Sequence, residues 1–436
     1  MSPAPRTWDA TVFEAAVEGI NVLADTHLHV VIDVPGRLDA ALLRRALQAV
    51  SRDVPELGAV LERRISGPRW VAQADPSWEI LERCGVGESE AAIEEADLYA
   101  LPFEPYGALP LRARLLHLAE RDRLLLRVSH LLADGGGCKN LCYRLAAACA
   151  AIAAGRPPPR WPNPRPNPLL RLLRSLRLRA LPWSLLDLLD DLLVNRLLRP
   201  ACPPFEVGLR GEARCARLHL PTARVAHLRA RRRAPRPTVN DLMLAAFSRA
   251  LAAVEPAGSG ARAVQVIATS DLRLLEGGAD DVCNYSALRP FDLGRLPLPA
   301  PEEHLARVMR ATSLWKRGRP GLLASIIAIG TASLLPRSLA ARLVHGLLGG
   351  MVRLQGRGVA LTNIGPIDAA RLDFGGGPCL AAHVKAPPAR PPMLIAAVTG
   401  CAGALDLTVA YTVPGHPEEA VAALLAATEQ ELEALC

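Results

Sequence analysis

The segment GRPPPRWPNPRPNP, Gly155 to Pro168, constrains this chain more than any other stretch. Its prolines fix φ and lack the N–H that a helix interior or central strand needs, so it must run as an extended connector. The connector divides 436 residues into two unequal parts, each long enough to bury a core of its own. Intrinsic disorder is excluded, since 50% of the residues are hydrophobic and 22% charged. Aromatic residues make up only 4%, so aliphatic side chains must fill the interior.

Periodicity predicts an α/β chain on both sides of the connector. Thr26 to Val34 alternates like a strand, and GRLDAALLRRALQAVSRDVPEL follows with apolar residues at helical spacing. PLRARLLHLAERDRLLLRVSHLLADGGG reads as two strands joined across Glu120 to Asp122, the second ending at His130. A glycine-rich turn then leads into a helix from Lys139 to Ala154. Beyond the connector, ARCARLHLP reads as a strand, and Thr238 and Asn240 precede the helical DLMLAAFSRALAAV with a polar N-cap. Ala263 to Arg273, Gly358 to Pro366, Met393 to Gly400 and Ala404 to Thr412 supply further strands, and PEEAVAALLAATEQELEAL a terminal amphipathic helix.

Lys+Arg 51 against Asp+Glu 43 gives a formal charge of +8, which suits anionic small molecules or phosphate-bearing partners. The arginines are scattered, which argues against nucleic acid. Ten cysteines lack paired CxxC spacing and read as buried reduced thiols of a cytoplasmic protein. Cys138 and Cys142 share a helix face but lack the further ligands of a zinc site, so no metal is expected. His27 and His29 have no partnered carboxylate at a useful spacing and read as structural. The first residues, without a basic start followed by an apolar run, do not read as a secretory signal. The uncharged Pro320 to Pro336 is too short to span a bilayer and reads as a buried helix or tunnel lining. Leu169 to Arg199, rich in Leu and Arg, fits either a surface helix pair over the core or an interfacial helix in peripheral membrane contact.

The sharpest local feature is His130 with Asp134 and the run Gly135-Gly136-Gly137. A histidine at a strand end titrates near neutrality and can take a proton from a hydroxyl or amine, and the glycines admit unusual backbone angles. From spacing alone, a structural turn histidine fits as well.

SHLLADGGG, Ser129 to Gly137, resembles the HHxxxDG signature of the condensation-domain and CoA-dependent acyltransferase superfamily, which includes wax ester synthases, plant BAHD acyltransferases and chloramphenicol acetyltransferase. Other segments fall in that family's order: LDAALLRRALQAVSRDVPELGAVL, TVNDLMLAAFSRAL, SDLR at Ser270 to Arg273, CNYSALRPFDL around Asn284, LTNIGP at Leu361 to Pro366, and DFGGG at Asp373 to Gly377. The likeness spans nearly the whole chain and is greatest to standalone condensation-like proteins. Ser129 replaces the first His, and Gly376 stands where BAHD enzymes have Trp.

The resemblance implies a two-lobed, chloramphenicol-acetyltransferase-like fold with mixed sheets flanked by helices and a tunnel between the lobes. Its expected parts are an N-terminal lobe over 1–160, a linker and Leu/Arg segment over 161–210, and a C-terminal lobe over 211–436. The implied reaction moves an acyl group from a thioester, acyl-CoA or a carrier protein's phosphopantetheine, to an alcohol or amine, with no bound cofactor. His130 would be the general base beside Gly135, and Asp134 would hold the loop by pairing with an arginine, for which Arg273 is the candidate. Thr362, Asn363 and Asn284, with Tyr285 beside it, would supply oxyanion donors or line the channel. Arg229, Arg231, Arg232 and Arg233, the densest positive cluster, suit the donor's phosphates as well as a solvated helix face. Loss of the first motif His leaves an alternative, a non-catalytic condensation-like module that binds carrier protein.

Overall fold

The computed structural model describes residues 6–21, 24–102, 104–163, 168–176, 179, 181–193, 200–206, 211–230, 236–275, 280–318, 322–336, 338–340, 342–343, 345–346 and 358–435. In chain order, β1 (Thr7–Asp9), α1 (Val12–Ile20), β2 (His27–Pro35) and α2 (Ala40–Ser51) are followed by β3 (Ala59–Glu62), β4 (Arg69–Ala72) and β5 (Glu79–Cys84). Next come α3 (Glu88–Ala100), β6 (Leu111–His117), β7 (Arg121–Ser129), α4 (Gly135–Ala153), α5 (Pro168–Ser175) and α6 (Leu181–Leu193). The second half runs β8 (Glu212–Leu220), α7 (Thr222–Ala230), α8 (Val239–Ala253), β9 (Ala263–Asp271), β10 (Ser286–Arg295), α9 (Pro301–Gly318) and α10 (Leu322–Ser333). It closes with β11 (Gly358–Ile367), β12 (Ala381–Lys385), β13 (Met393–Cys401), β14 (Ala404–Val413) and a C-terminal helix, Glu418–Ala434.

Two mixed sheets carry the molecule. The first has the order β12-β2-β7-β6-β5 and the second β10-β9-β11-β13-β14-β8, with β1-β4-β3 as a small third sheet. Leu28, Val30, Ile32 and Val34 of β2 pack with Leu43 and Leu47 of α2 and Leu141 and Leu145 of α4. The opposite face of the same sheet buries Val31 and Leu125 with Leu98 of α3. Because both faces are covered, β2 is buried almost throughout, His27, His29 and Asp33 included. In the second half, α8 and the C-terminal helix cover one face of the six-stranded sheet with Phe247, Leu251, Leu424 and Leu432. α8 begins at the expected cap: Thr238 accepts from the Asp241 N–H, and the Asp241 carboxylate answers the Thr238 N–H.

Three findings alter the reading of the sequence. Gly135, Gly136 and Gly137 form the first turn of α4 and not a preceding loop, because the Asp134 side chain caps the helix by accepting from the Gly137 N–H. β12, from the second half of the chain, pairs antiparallel with β2 in the first sheet, so the lobe boundary does not follow the chain division expected at 160 and 210. Within Pro320 to Pro336 the structure has a surface helix and not a buried one: α10 buries Leu322, Ile329 and Ala332 but leaves Ile327 half exposed, and Leu334 in the turn after it is almost fully exposed. An amphipathic helix of this kind needs only one covered face. The Leu/Arg segment supplies α5 and α6, which pack against α10 with Leu172 buried and Leu170, Leu173, Trp183 and Leu186 about half exposed; residues 194–199 lie outside the described residues. Among the described residues, no helix is long and apolar enough to cross a membrane.

Candidate active site

His130 follows directly on β7, where its N–H donates to the Thr26 carbonyl at 2.8 Å. Its imidazole is partly exposed and meets the second half of the chain: Nδ1 lies 3.1 Å from Oδ1 of Asn284. Asn284 cannot be turned over without loss, since its Nδ2 donates to the backbone carbonyls of His130 at 2.8 Å and Leu131 at 3.2 Å. The network therefore assigns Oδ1 to the imidazole and the proton to Nδ1. Nε2, left with its lone pair, has no hydrogen-bond partner among the described residues, which is the state a general base requires.

Asp134 points away from that edge. One oxygen accepts from Arg273 Nη2 at 2.6 Å and from the Gly137 N–H at 2.9 Å; the other accepts from Arg273 Nη1 at 3.2 Å, the Tyr285 N–H at 2.7 Å and the Ser286 hydroxyl at 2.7 Å. Both members of the pair are buried. Burial alone would raise the Asp134 carboxyl, but the Arg273 guanidinium and these donors hold it below the usual carboxylate range. Burial likewise opposes the charge on Arg273, yet Asp134, Cys283 and Asp271 raise its pKa above that of a free arginine. Asp271 also takes the Arg273 N–H and Nη1, and the Cys283 carbonyl takes Nη2. A pair so completely bonded is structural, joining the start of α4 to the turn after β9.

The glycines fit this joint by their lack of side chains. A Cβ on Gly137 would stand 2.5 Å from the backbone oxygen of Cys283, and one on Gly136 would stand 2.9 Å from Asp271 Oδ2. One on Gly135 would meet only the tip of the Ile364 side chain. None of the three has a positive φ, so close approach and not backbone angle is what demands glycine here.

The remaining candidates scatter. Thr362 and Asn363 lie within β11, which runs on to Ile367 through a bulge between Asn363 and Gly365. Thr362 Oγ1 is 2.7 Å from Thr269 Oγ1, and the exposed Asn363 reaches Asn240 while accepting from the Gly365 N–H. Their side-chain hydrogen bonds therefore lie with β9, the bulge and the start of α8, not with His130. β11 touches α4 through Lys139, whose Nζ donates to the carbonyls of Ile364 and Pro366. Arg229 is exposed in the last turn of α7, whereas Arg231, Arg232 and Arg233 lie outside the described residues. DFGGG forms a turn in which Asp373 accepts from the N–H groups of Gly375 and Gly377. A Cβ on Gly376 would come 2.7 Å from the Pro35 oxygen, so a Trp could not stand there unless the turn moved. A Cβ on Gly375 would meet Ala150 and Ala153, Ala150 lying roughly 24 Å along α4 from Asp134 at 1.5 Å per residue.

Cys283 and Ser286 complete the Asp134 site but do not stand out in the sequence; only their place beside Asn284 in CNYS hinted at them.

The fold is shared with solved structures over nearly the full chain. It aligns with the epimerization domain from the third module of tyrocidine synthetase B at TM-score 0.69 and 14% identity, covering 99% of this chain and 97% of that one. The first condensation domain of the CDA synthetase gives 0.70 at 16% identity, covering 100% and 97%. A variant of the starter condensation domain of rhizomide synthetase in complex with C8-CoA gives 0.70 at 14%, covering 98% and 94%. This chain thus has the condensation-domain fold, the two-lobed mixed α/β architecture expected from the sequence. No family model matches the sequence, and no curated protein does.

Proposed function

We propose that this protein transfers an acyl group from a thioester, either acyl-CoA or a carrier-bound phosphopantetheine, to a hydroxyl or amine acceptor. The observation that carries the reading is the Asn284 amide, which fixes the His130 tautomer with Nε2 free at the meeting of the two halves of the chain. In the proposed step the acceptor loses its proton to Nε2 as its oxygen or nitrogen attacks the thioester carbonyl. The tetrahedral intermediate then expels the thiolate, which takes the proton back from the imidazolium, so that ester or amide and free thiol are the products. Asp134 and Arg273 act through the loop and not on the substrate. The C8-CoA held by one fold neighbour, and the Leu-SNAC held beside C8-CoA by another variant of that domain, support a thioester donor and an amine acceptor.

The exposed side chains of α5 and α6, Leu170, Leu173, Trp183 and Leu186, suit contact with a carrier protein or a lipid surface. Ser129, buried where the motif's first histidine would stand, favours the second reading, a module that binds carrier protein without turnover. Thiol release from a panel of acyl thioesters separates the two. The wild type should release thiol in an acceptor-dependent way, and His130→Ala should lower the rate about 100-fold or more with an unchanged melting temperature. A rate within a few-fold of wild type removes His130 as the base, and no release from any thioester favours the binding module.

A further inference from the structure

Arg127 of β7 is 4% exposed, and among the described residues no carboxylate lies within ion-pair distance of it. Its guanidinium donates to the carbonyls of Leu101 at 2.9 Å and Pro102 at 2.6 Å, just past α3, and contacts His27 Nδ1 at 3.1 Å. Its Nε is buried without a partner. A charge withdrawn from water without a counter-ion is costly, and an orphaned N–H adds to that cost. The carbonyls and His27 are neutral acceptors, so no carboxylate touches the guanidinium; Asp25, Glu104 and Glu79 act on its charge only from a distance, and burial outweighs them.

Arg127 lines a small cavity together with His27, Glu104, Arg112 and the apolar run Ala108 to Leu111. Arg112 is paired there with Glu79 at 3.1 Å and Glu104 at 3.3 Å, so of the two arginines in the wall Arg127 is the one without a carboxylate at ion-pair distance among the described residues. The cavity adjoins the candidate base. Pro110 in its wall accepts from the Ser129 N–H at 2.7 Å, His27 is the β2 partner of Ser129, and His130 is the next residue.

We infer that this cavity is a subsite for a carboxylate on the acceptor substrate, with Arg127 as its counter-ion. The inference rests on the proposed acyl transfer at His130. A carboxylate fits better than a phosphate, because Nη2 of Arg127 is already engaged by carbonyls and His27, and Glu104 in the same wall disfavours a second negative charge. Three residues of extended chain separate Arg127 from His130, roughly 10 Å. The acceptor is therefore an amino or hydroxy acid whose nucleophile stands several bonds from its carboxylate.

The test is equilibrium binding of N-octanoyl-4-aminobutyrate against its primary amide, two product-like probes that differ only in the charge. Wild type and His130→Ala should both bind the acid at least tenfold more tightly than the amide. Arg127→Gln should bind the two equally, and Arg127→Lys should keep part of the preference. Equal binding of both probes by the wild type, no binding of the acid, or a preference that survives in Arg127→Gln overturns the inference. Should Arg127→Gln fail to fold, titration of the wild type followed through the arginine Nε–H NMR resonances decides: the Arg127 signal must shift with the acid and not with the amide, and an unmoved signal overturns the subsite. Because binding is read in His130→Ala as well, discrimination without any acyl transfer would overturn the proposed reaction while leaving the subsite standing.

Discussion

Asp134 and Arg273 form a buried pair that in the proposed reaction would support the site without touching substrate. Replacing Asp134 by Asn leaves the Arg273 charge buried with only Asp271 beside it, and severing a buried pair costs about 3–5 kcal/mol. The variant should therefore melt several degrees lower and lose activity in the same proportion as it loses the loop. Differential scanning calorimetry beside thiol-release rates checks this; lost activity at an unchanged melting temperature would mean that Asp134 takes part in the chemistry directly. Asn284 is the opposite case. Its side chain makes three bonds, all to His130 or Leu131, so its substitution should bear on the orientation of the base more than on the fold.

At the scale of the element, the start of α4 sets two effects of glycine against each other. Alanine in a helix is favoured over glycine by about 1 kcal/mol, so Gly135→Ala, which meets only the movable tip of Ile364, should leave the melting temperature nearly unchanged. Gly137→Ala drives a methyl into the backbone of Cys283, where nothing can rotate away, and overpacking of that kind costs about 1–3 kcal/mol. The two variants should thus separate in thermal unfolding, and equal melting temperatures would remove close approach as the reason for the triplet. What was legible in the sequence follows the same division between local and distant causes. The strands at 111–117, 121–129, 263–271 and 393–401 are written in partial alternation or in short apolar runs, and the capped start of α8 in Thr238, so they could be read locally. The pairing of β12 with β2 could not, because five residues, Ala381–Lys385, carry no signal of which sheet they join. Of the candidate site, His130 and Asp134 could be picked out as a motif. The role of Asn284 as the anchor of the imidazole could not, since it depends on which carbonyls its amide meets across 154 positions of chain.

At the scale of the whole molecule, buried imidazoles lie in both halves of the chain: His27, His29 and His383 on the strands that join at the β2–β12 junction, and His304 and His416 away from it. Burial, the largest influence on each, pushes His27, His29 and His383 well below the ordinary histidine value, and His304 and His416 in the second half to about 4. Unfolding returns them to about 6.5. Between those limits the unfolded chain binds protons that the native one refuses, so their contribution is complete above about pH 6.5 and declines as the pH falls toward the folded values. Each group adds at most about 1.4 kcal/mol per pH unit, while Asp134 acts in the same direction only below the ordinary carboxylate range. Urea midpoints should accordingly fall between pH 7 and pH 5, and equal midpoints would show these histidines protonated or solvated in the native state. The same junction makes the halves interdependent. Without β12, residues 1–160 would leave the edge of β2 unpaired along a strand that is buried in the native protein, an arrangement prone to association with other edges. The fragment 1–160 expressed alone should aggregate or lack a cooperative thermal transition, and co-expression with 211–436 should restore soluble material because β12 then returns to its place. A fragment 1–160 that melts cooperatively by itself would show that the first sheet closes without the strand supplied by the second half.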